Sequence, residues 1–198
     1  SELIGITDGF RGLNSGGLST LSVNTAITLR PCIDADLPSF YQHQCDAKAC
    51  EMAAFPSREL DAFMTHWRQN VLPNPQGLAR SILLNEQVVG NIVSWRQKVE
   101  PSAELNPDLD SPSEPLFEQE LGYWIDPRHW GKGIASAALA RFLEEINMRP
   151  IFAHVASHNI GSQRVLSKSG FTKRYDYPFD GSDAKRYPQS CMYVYGLG

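Results

Sequence analysis

The chain has 198 residues, 42% of them hydrophobic and 20% charged, which fits one ordinary globular domain or one domain with an arm. Its formal charge is −4 and no basic stripe is visible, which argues against a nucleic-acid partner and slightly favours a cationic one. No apolar run approaches a membrane span and no signal peptide is recognised, so a cytoplasmic protein without a membrane partner is expected.

Residues 1–24 are rich in Gly, Ser, Thr and Asn without sustained periodicity, and read as an N-terminal arm ahead of one domain over 25–198. Such an arm could pack on a neighbouring chain, which keeps a homodimer among the expected assemblies. Ala26 to Arg30 alternates as a first strand and ends at Pro31. Asp34 or Asp36 can cap a helix through Leu37, Phe40, Tyr41 and Gln44. Pro56-Ser57 restarts a helix carrying Leu60, Phe63, Met64 and Trp67, which stops by Pro73.

Leu78 to Leu84 and Gln87 to Trp95 read as a hairpin turning at Asn85-Glu86, with Gly90 marking a bulge or a close backbone approach. From Lys98 to Glu118, Pro101, Pro107, Pro112 and Pro115 alternate with Glu100, Glu104, Asp108, Asp110 and Glu114. That composition predicts a long acidic loop, suited to recruiting a cationic acceptor. Cys32, Cys45, Cys50 and Cys191 show no Cys-x-x-Cys spacing, and His43, Cys45 and Cys50 match no zinc template. They read as small structural hydrophobes in a reducing compartment, with no metal.

The stretch from Leu121 to Asn147 organises the rest. Leu121 to Ile125 is rich in bulky β-formers, Asp126-Pro127 stops that strand, and Arg128-His-Trp-Gly131-Lys-Gly133 is a glycine-bearing turn. A helix follows, because Ile134, Ala135, Ala138, Leu139, Phe142, Leu143 and Ile146 recur at helical spacing. Strand, glycine turn and helix N-terminus together suit a polyanion such as a pyrophosphate. The dinucleotide fingerprint would need a third glycine where Ser136 stands, and the Walker loop would need Ser or Thr where Gly133 stands, so neither fits.

After this helix, Pro150 to Ala156 reads as a buried strand and Asn159 to Ser169 as a short helix ended by Gly170. Phe171 to Tyr177 and Cys191 to Tyr195 read as two last strands.

The spacing Arg128-x-x-Gly131-x-Gly133 resembles the acetyl-CoA signature of the GCN5-related N-acetyltransferase (GNAT) superfamily. The wording GYWIDPRHWGKGIAS is most similar to the RimJ/RimL-like branch, and HNIGSQRVLSKSGF resembles that branch's second motif in the right order. The resemblance implies a single α/β (α+β) domain with a mixed, mostly antiparallel sheet and helices on both faces. It implies transfer of an acetyl group from acetyl-CoA to a primary amine, either a protein N-terminus or a small amine. A fold that binds acyl-CoA as a sensor or scaffold without turnover is the alternative.

By the same resemblance, backbone groups of Trp124 and Ile125 pair with the pantetheine arm, and amides from Gly131 through Lys132, Gly133 and Ile134 to Ala135 wrap the pyrophosphate. Arg128 and Lys132 add positive charge, Asn159 hydrogen-bonds the arm from the other side, and Glu51 to Phe55 walls the acceptor site. Glu118 and Glu120 share one face of their strand, and Glu120 matches the family's acidic position, which makes it the expected general base. Many relatives carry a tyrosine acid where this chain has Leu166, so that role does not transfer. Ser162 is the group expected near the cofactor sulfur, as a hydrogen-bond donor to the thiolate. His129, His154 and His158 titrate in a useful range, but the resemblance assigns none of them a role.

Overall fold

The computed structural model describes residues 26–99, 116–179, 181–187 and 189–198. The N-terminal arm and the greater part of the acidic loop lie outside these residues. Strands β1 (Ile27–Pro31), β2 (Leu78–Leu84), β3 (Gln87–Val99), β4 (Leu116–Ile125), β5 (Ile151–Ala156), β6 (Thr172–Pro178) and β7 (Cys191–Leu197) make one sheet. Helices α1 (Leu37–Gln44), α2 (Ala47–Ala53) and α3 (Leu60–His66) precede β2. Helix α4 (Ile134–Glu145) joins β4 to β5, α5 (Ile160–Lys168) joins β5 to β6, and α6 (Gly181–Arg186) joins β6 to β7.

The strand order is β1-β2-β3-β4-β5-β7-β6. Every pairing is antiparallel except β4 with β5. Side-chain alternation sorts the strands onto two faces. On one face Leu121, Tyr123 and Ile125 of β4 join Ile92, Ile151 and Ala153, and the apolar stripe of α4, from Ile134 and Ala138 to Phe142, packs into the same core. On the other, Leu37 and Phe40 of α1 and Phe63 of α3 meet Trp67 and Val93, with Trp95 at the edge of that cluster. Helices therefore cover both faces of a mixed sheet.

Four expectations about elements need correction. The segment after α1 forms a helix of its own, α2, because the Asp46 carboxylate accepts from the Ala49 N–H at 2.9 Å and Ala54 ends the helix at φ 51. Helix α3 begins at Leu60 with Glu59 as its N-cap, later than Pro56-Ser57, and continues into a π turn over Trp67–Val71. β3 and β4 run on into the stretch read as loop: Gln97 pairs with Glu118 and Lys98 with Phe117, and the Arg96 guanidinium lies 4.2 Å from the centre of the Phe117 ring. Finally, α6 occupies the last connection, which carries no apolar periodicity to announce it.

At Gly90 both readings offered by the sequence coexist. Ile82 faces Gly90 but Leu83 faces Val88, so β3 holds one extra residue and bulges. A Cβ at Gly90 would collide with the Trp124 carbonyl oxygen, so the strands can lie this close only because the residue is glycine.

Candidate functional site

The site is built at the carboxyl end of β4. Trp130 is buried, and its indole Nε1 donates to the Ile125 carbonyl at 2.9 Å, which folds the turn back onto the strand. Asp126 accepts from the Arg128 N–H at 2.9 Å and from the Arg128 guanidinium, whose terminal nitrogen lies 2.6 Å from Oδ2. Burial pushes the Asp126 carboxyl up, but the hydrogen bonds of Arg128 and the nearby His43 outweigh it and hold the group below the usual carboxylate range. Arg128 is thus tied to its own turn.

Gly131 and Gly133 both take left-handed backbone conformations, with φ of 71° and 77°. A Cβ at Gly133 would meet nothing within 4 Å, so this turn faces open space rather than packed protein. Ile134 and Ala135 are buried in the first turn of α4, which leaves their backbone to do any binding, while Lys132 is exposed. An open left-handed glycine turn leading into a twelve-residue helix is a cradle that fits a diphosphate.

The two parallel strands stop pairing midway along β4, ahead of the glycine turn. β4 and β5 pair only at Gln119 with Ile151 and at Glu120 with Phe152. From Leu121 onward no rung joins the two strands, and we call the interval between them the cleft. Trp124 and Ile125 stand on its β4 side, with the Trp124 indole turned away to donate to the His43 carbonyl at 3.0 Å. Asn159 and Ser162 follow β5 at the start of α5, and both are fully buried. Asn159 Oδ1 accepts from the Ser162 N–H at 3.1 Å, and its Nδ2 donates to the Met52 carbonyl at 3.0 Å. His158 beside it reaches the Glu51 carbonyl at 2.7 Å, so two side chains at the α5 N-terminus pin the end of α2, the segment expected to wall the acceptor site.

Glu120 sits on the last rung before the cleft, only 7% exposed. Burial, and then the charge of Glu118, push its carboxyl up to about 7. Glu118 is less buried, and burial raises it too. Sequence reasoning assigned His154 no role and did not place it beside Glu120. His154 lies two residues beyond Phe152 on β5, hence on the same face, with Nε2 3.6 Å from Glu120 Oε1. Its Nδ1 is 3.0 Å from the Tyr177 hydroxyl. The histidine was visible in the sequence, but only the Glu120–Phe152 register puts it beside the carboxylate.

On the β3 side, Trp95 pairs with Glu120. A cavity of about 360 Å³ opens next to it, lined by His66, Asn70, Asn74, Trp95, Arg96 and Gln97 among others. Among the described residues no group of three or more His, Cys, Asp or Glu side chains is placed to hold a metal ion, and no helix is long and apolar enough to cross a membrane.

A family model described as an acetyltransferase (GNAT) domain matches residues 26–172. The chain belongs to the GNAT family of acetyltransferases. Over 57 residues it is 40% identical to a probable N-acetyltransferase, YjcK, of Bacillus subtilis (strain 168), a match that spans 27% of this chain and 32% of that relative. The GNAT fold is shared with a spermidine N-acetyltransferase from Vibrio cholerae solved with CoA and spermine. There the TM-score is 0.65 at 16% identity, over 87% of this chain and 95% of that one. It is also shared with yncA of Salmonella typhimurium, a putative acetyltransferase solved with acetyl-CoA (TM-score 0.62, 19% identity, 87% and 93% covered). RimL, a ribosomal L7/L12 alpha-N-protein acetyltransferase, gives a TM-score of 0.61 at 18% identity, over 88% of this chain and 91% of its own.

Proposed function

We propose that this GNAT domain transfers an acetyl group from acetyl-CoA to a primary amine by direct attack within a ternary complex. The observation that carries the reading is the placement of Glu120: a buried carboxyl, pushed up to about 7, on the last paired rung before the β4–β5 cleft opens toward the glycine turn. Near neutral pH such a group both exists as a carboxylate and takes up a proton readily.

In this reading the glycine turn, with Gly131 and Gly133, and the first amides of α4 hold the diphosphate of acetyl-CoA, and Lys132 adds charge beside it. The Trp124 and Ile125 backbone lines the cleft for the extended arm, in the manner of an added strand. Asn159 serves mainly by fixing α5 against α2, since both ends of its amide have protein partners. Ser162 lies next to it as the donor toward the leaving thiolate. Acetyl-CoA supplies the activated acyl carbon. Glu120 takes one proton from the acceptor ammonium and frees the nitrogen lone pair. An N–C bond forms, the C–S bond breaks, and the nitrogen's second proton leaves with the thiolate or to water.

The cavity beside Trp95 lies on the same face as Glu120 and is the space offered to the body of the acceptor. The motif wording supports the RimJ/RimL-like branch, and either a peptide N-terminus or a small amine fits the space. The whole catalytic unit falls within residues 25–198, with the arm outside it. The test is CoA release measured with a panel of peptides and small amines. Release that depends on the amine and falls about 10²–10⁴-fold in Glu120→Gln is expected. Acetyl-CoA binding without release for any amine would favour a non-catalytic acyl-CoA sensor.

A further inference from the structure

Glu120 and His154 stand on the two parallel strands that part at the cleft, and Tyr177 stands behind His154 on β6. The distances are 3.6 Å from Glu120 Oε1 to His154 Nε2 and 3.0 Å from His154 Nδ1 to the Tyr177 hydroxyl. The His154 and Tyr177 rings meet edge-on with centroids 5.9 Å apart, so the imidazole is held from behind. Nothing else in the sequence or the family signature calls for a histidine here. The contact joins the base to a third element of the sheet.

The arrangement restricts the tautomer. A neutral imidazole has one N–H and one lone pair. A lone pair on Nε2 would face the oxygen of an ionised Glu120, whereas an N–H on Nε2 would face it favourably. Nδ1 then carries the lone pair, and the Tyr177 hydroxyl can donate to it. Burial lowers the histidine's tendency to take a second proton, so the ring acts as a neutral donor rather than as a cation.

Resting on the reading of Glu120 as the base, we propose that His154 is a positioning residue for it: fixed by the Tyr177 hydroxyl, its Nε2–H is aimed at the Glu120 carboxylate and favours the ionised, proton-accepting form. The separation of 3.6 Å in the free protein closes to a hydrogen bond in the reacting complex, as such contacts commonly tighten when substrate is bound. Among the described residues, the other titratable groups acting with Glu120 are Glu118 on β4 and Tyr175 on β6, whose hydroxyl is raised by burial and then by the two carboxylates. β3 presents Trp95 and Gln97 opposite Glu120 and Glu118, and neither titrates. The charge of Glu118 opposes ionisation of Glu120, Tyr175 stays neutral beside it, and His154 is the nitrogen donor on this face that supports the ionised form.

The experiment is the pH profile of kcat/KM for one acceptor amine, measured on wild type, His154→Ala, His154→Gln, Tyr177→Phe and Glu120→Gln. Removing a donor to the charged form raises a carboxyl pKa. His154→Ala should therefore move the rising limb upward by about one pH unit, with activity recovering toward the wild-type plateau at high pH. Tyr177→Phe should move it the same way by less, and His154→Gln, which keeps an N–H at a similar reach, should stay near wild type. An unmoved or lowered limb in His154→Ala, or a uniform fall at every pH, overturns the proposal. If His154→Ala does not fold, as judged by circular dichroism, Tyr177→Phe decides, and an unmoved limb there overturns it equally. Glu120→Gln separates the two readings. A limb that survives this substitution refutes Glu120 as the base. A limb that it abolishes, but that His154→Ala leaves in place, refutes only the role of His154.

Discussion

The side-chain amide of Asn159 donates to the backbone carbonyl of Met52, 107 residues away in the chain, at 3.0 Å. The same side chain caps α5 through the Ser162 N–H. One residue thus closes a helix N-terminus and anchors the far wall of the cleft, and its removal leaves a helix donor and a carbonyl without their partners.

Asn159→Ala is accordingly expected to cost about 1–3 kcal/mol of stability, the sum of a lost cap and an orphaned buried acceptor. Asn159→Ser keeps a capping oxygen and should recover part of it. Urea denaturation of the two variants checks the order, and equal stability of wild type and Asn159→Ala would show that the tie to Met52 contributes nothing.

Gly133 separates backbone strain from ligand space. Gly133→Ala is expected to cost about 1–2 kcal/mol for placing a side chain in the left-handed region, with no clash, because no atom lies within 4 Å of the added Cβ. Gly133→Glu should suffer similar strain yet lose acetyl-CoA binding altogether, because it sets a carboxylate where the diphosphate is expected. Calorimetric titration with acetyl-CoA, alongside thermal melts, distinguishes the two effects.

At Gly90 the outcome reverses. Gly90→Ala pushes a methyl group into the Trp124 carbonyl, so β3 and β4 must separate. A loss of about 1–3 kcal/mol is expected, together with weakened acetyl-CoA affinity, since the displaced backbone is the one lining the cleft. Full stability in this variant would mean that the strand pair relaxes without cost.

The pH profile follows from the sign of the Glu120 shift. Its carboxyl is raised to about 7, by burial first and by Glu118 second. With Glu120 as the proposed base the active form is the carboxylate, so kcat/KM should rise with pH through about 7 and fall away below it. Glu118→Gln removes the like charge, and the rising limb should move to lower pH. A limb that disappears would make Glu118 the group that titrates, and one that moves upward would contradict the repulsion between the two carboxylates.

Much of this was legible in the sequence because it is local. The Asp126-Pro127 stop, the glycines at positive φ and the apolar stripe of α4 are each fixed by the backbone and side-chain chemistry of residues a few positions apart, so strand, turn and helix can be read in place. The extra helix α2 escaped reading because its seven residues show a cap at Asp46 but no sustained stripe. The ends of β3 and β4 escaped because their long-range pairing overrides a local composition that reads as loop.

What the fold alone decided is the surroundings of Glu120. Strand alternation puts Glu118 and Glu120 on one face, and only the resemblance to the family singles out Glu120. They differ in the structure because the parallel rung to Phe152 buries Glu120 more deeply and brings His154, 34 positions later, to its side. Burial, and with it the pKa that makes a carboxyl useful, depends on which strands meet and in what register. Those are properties of contacts between distant segments, and no spacing within one segment encodes them.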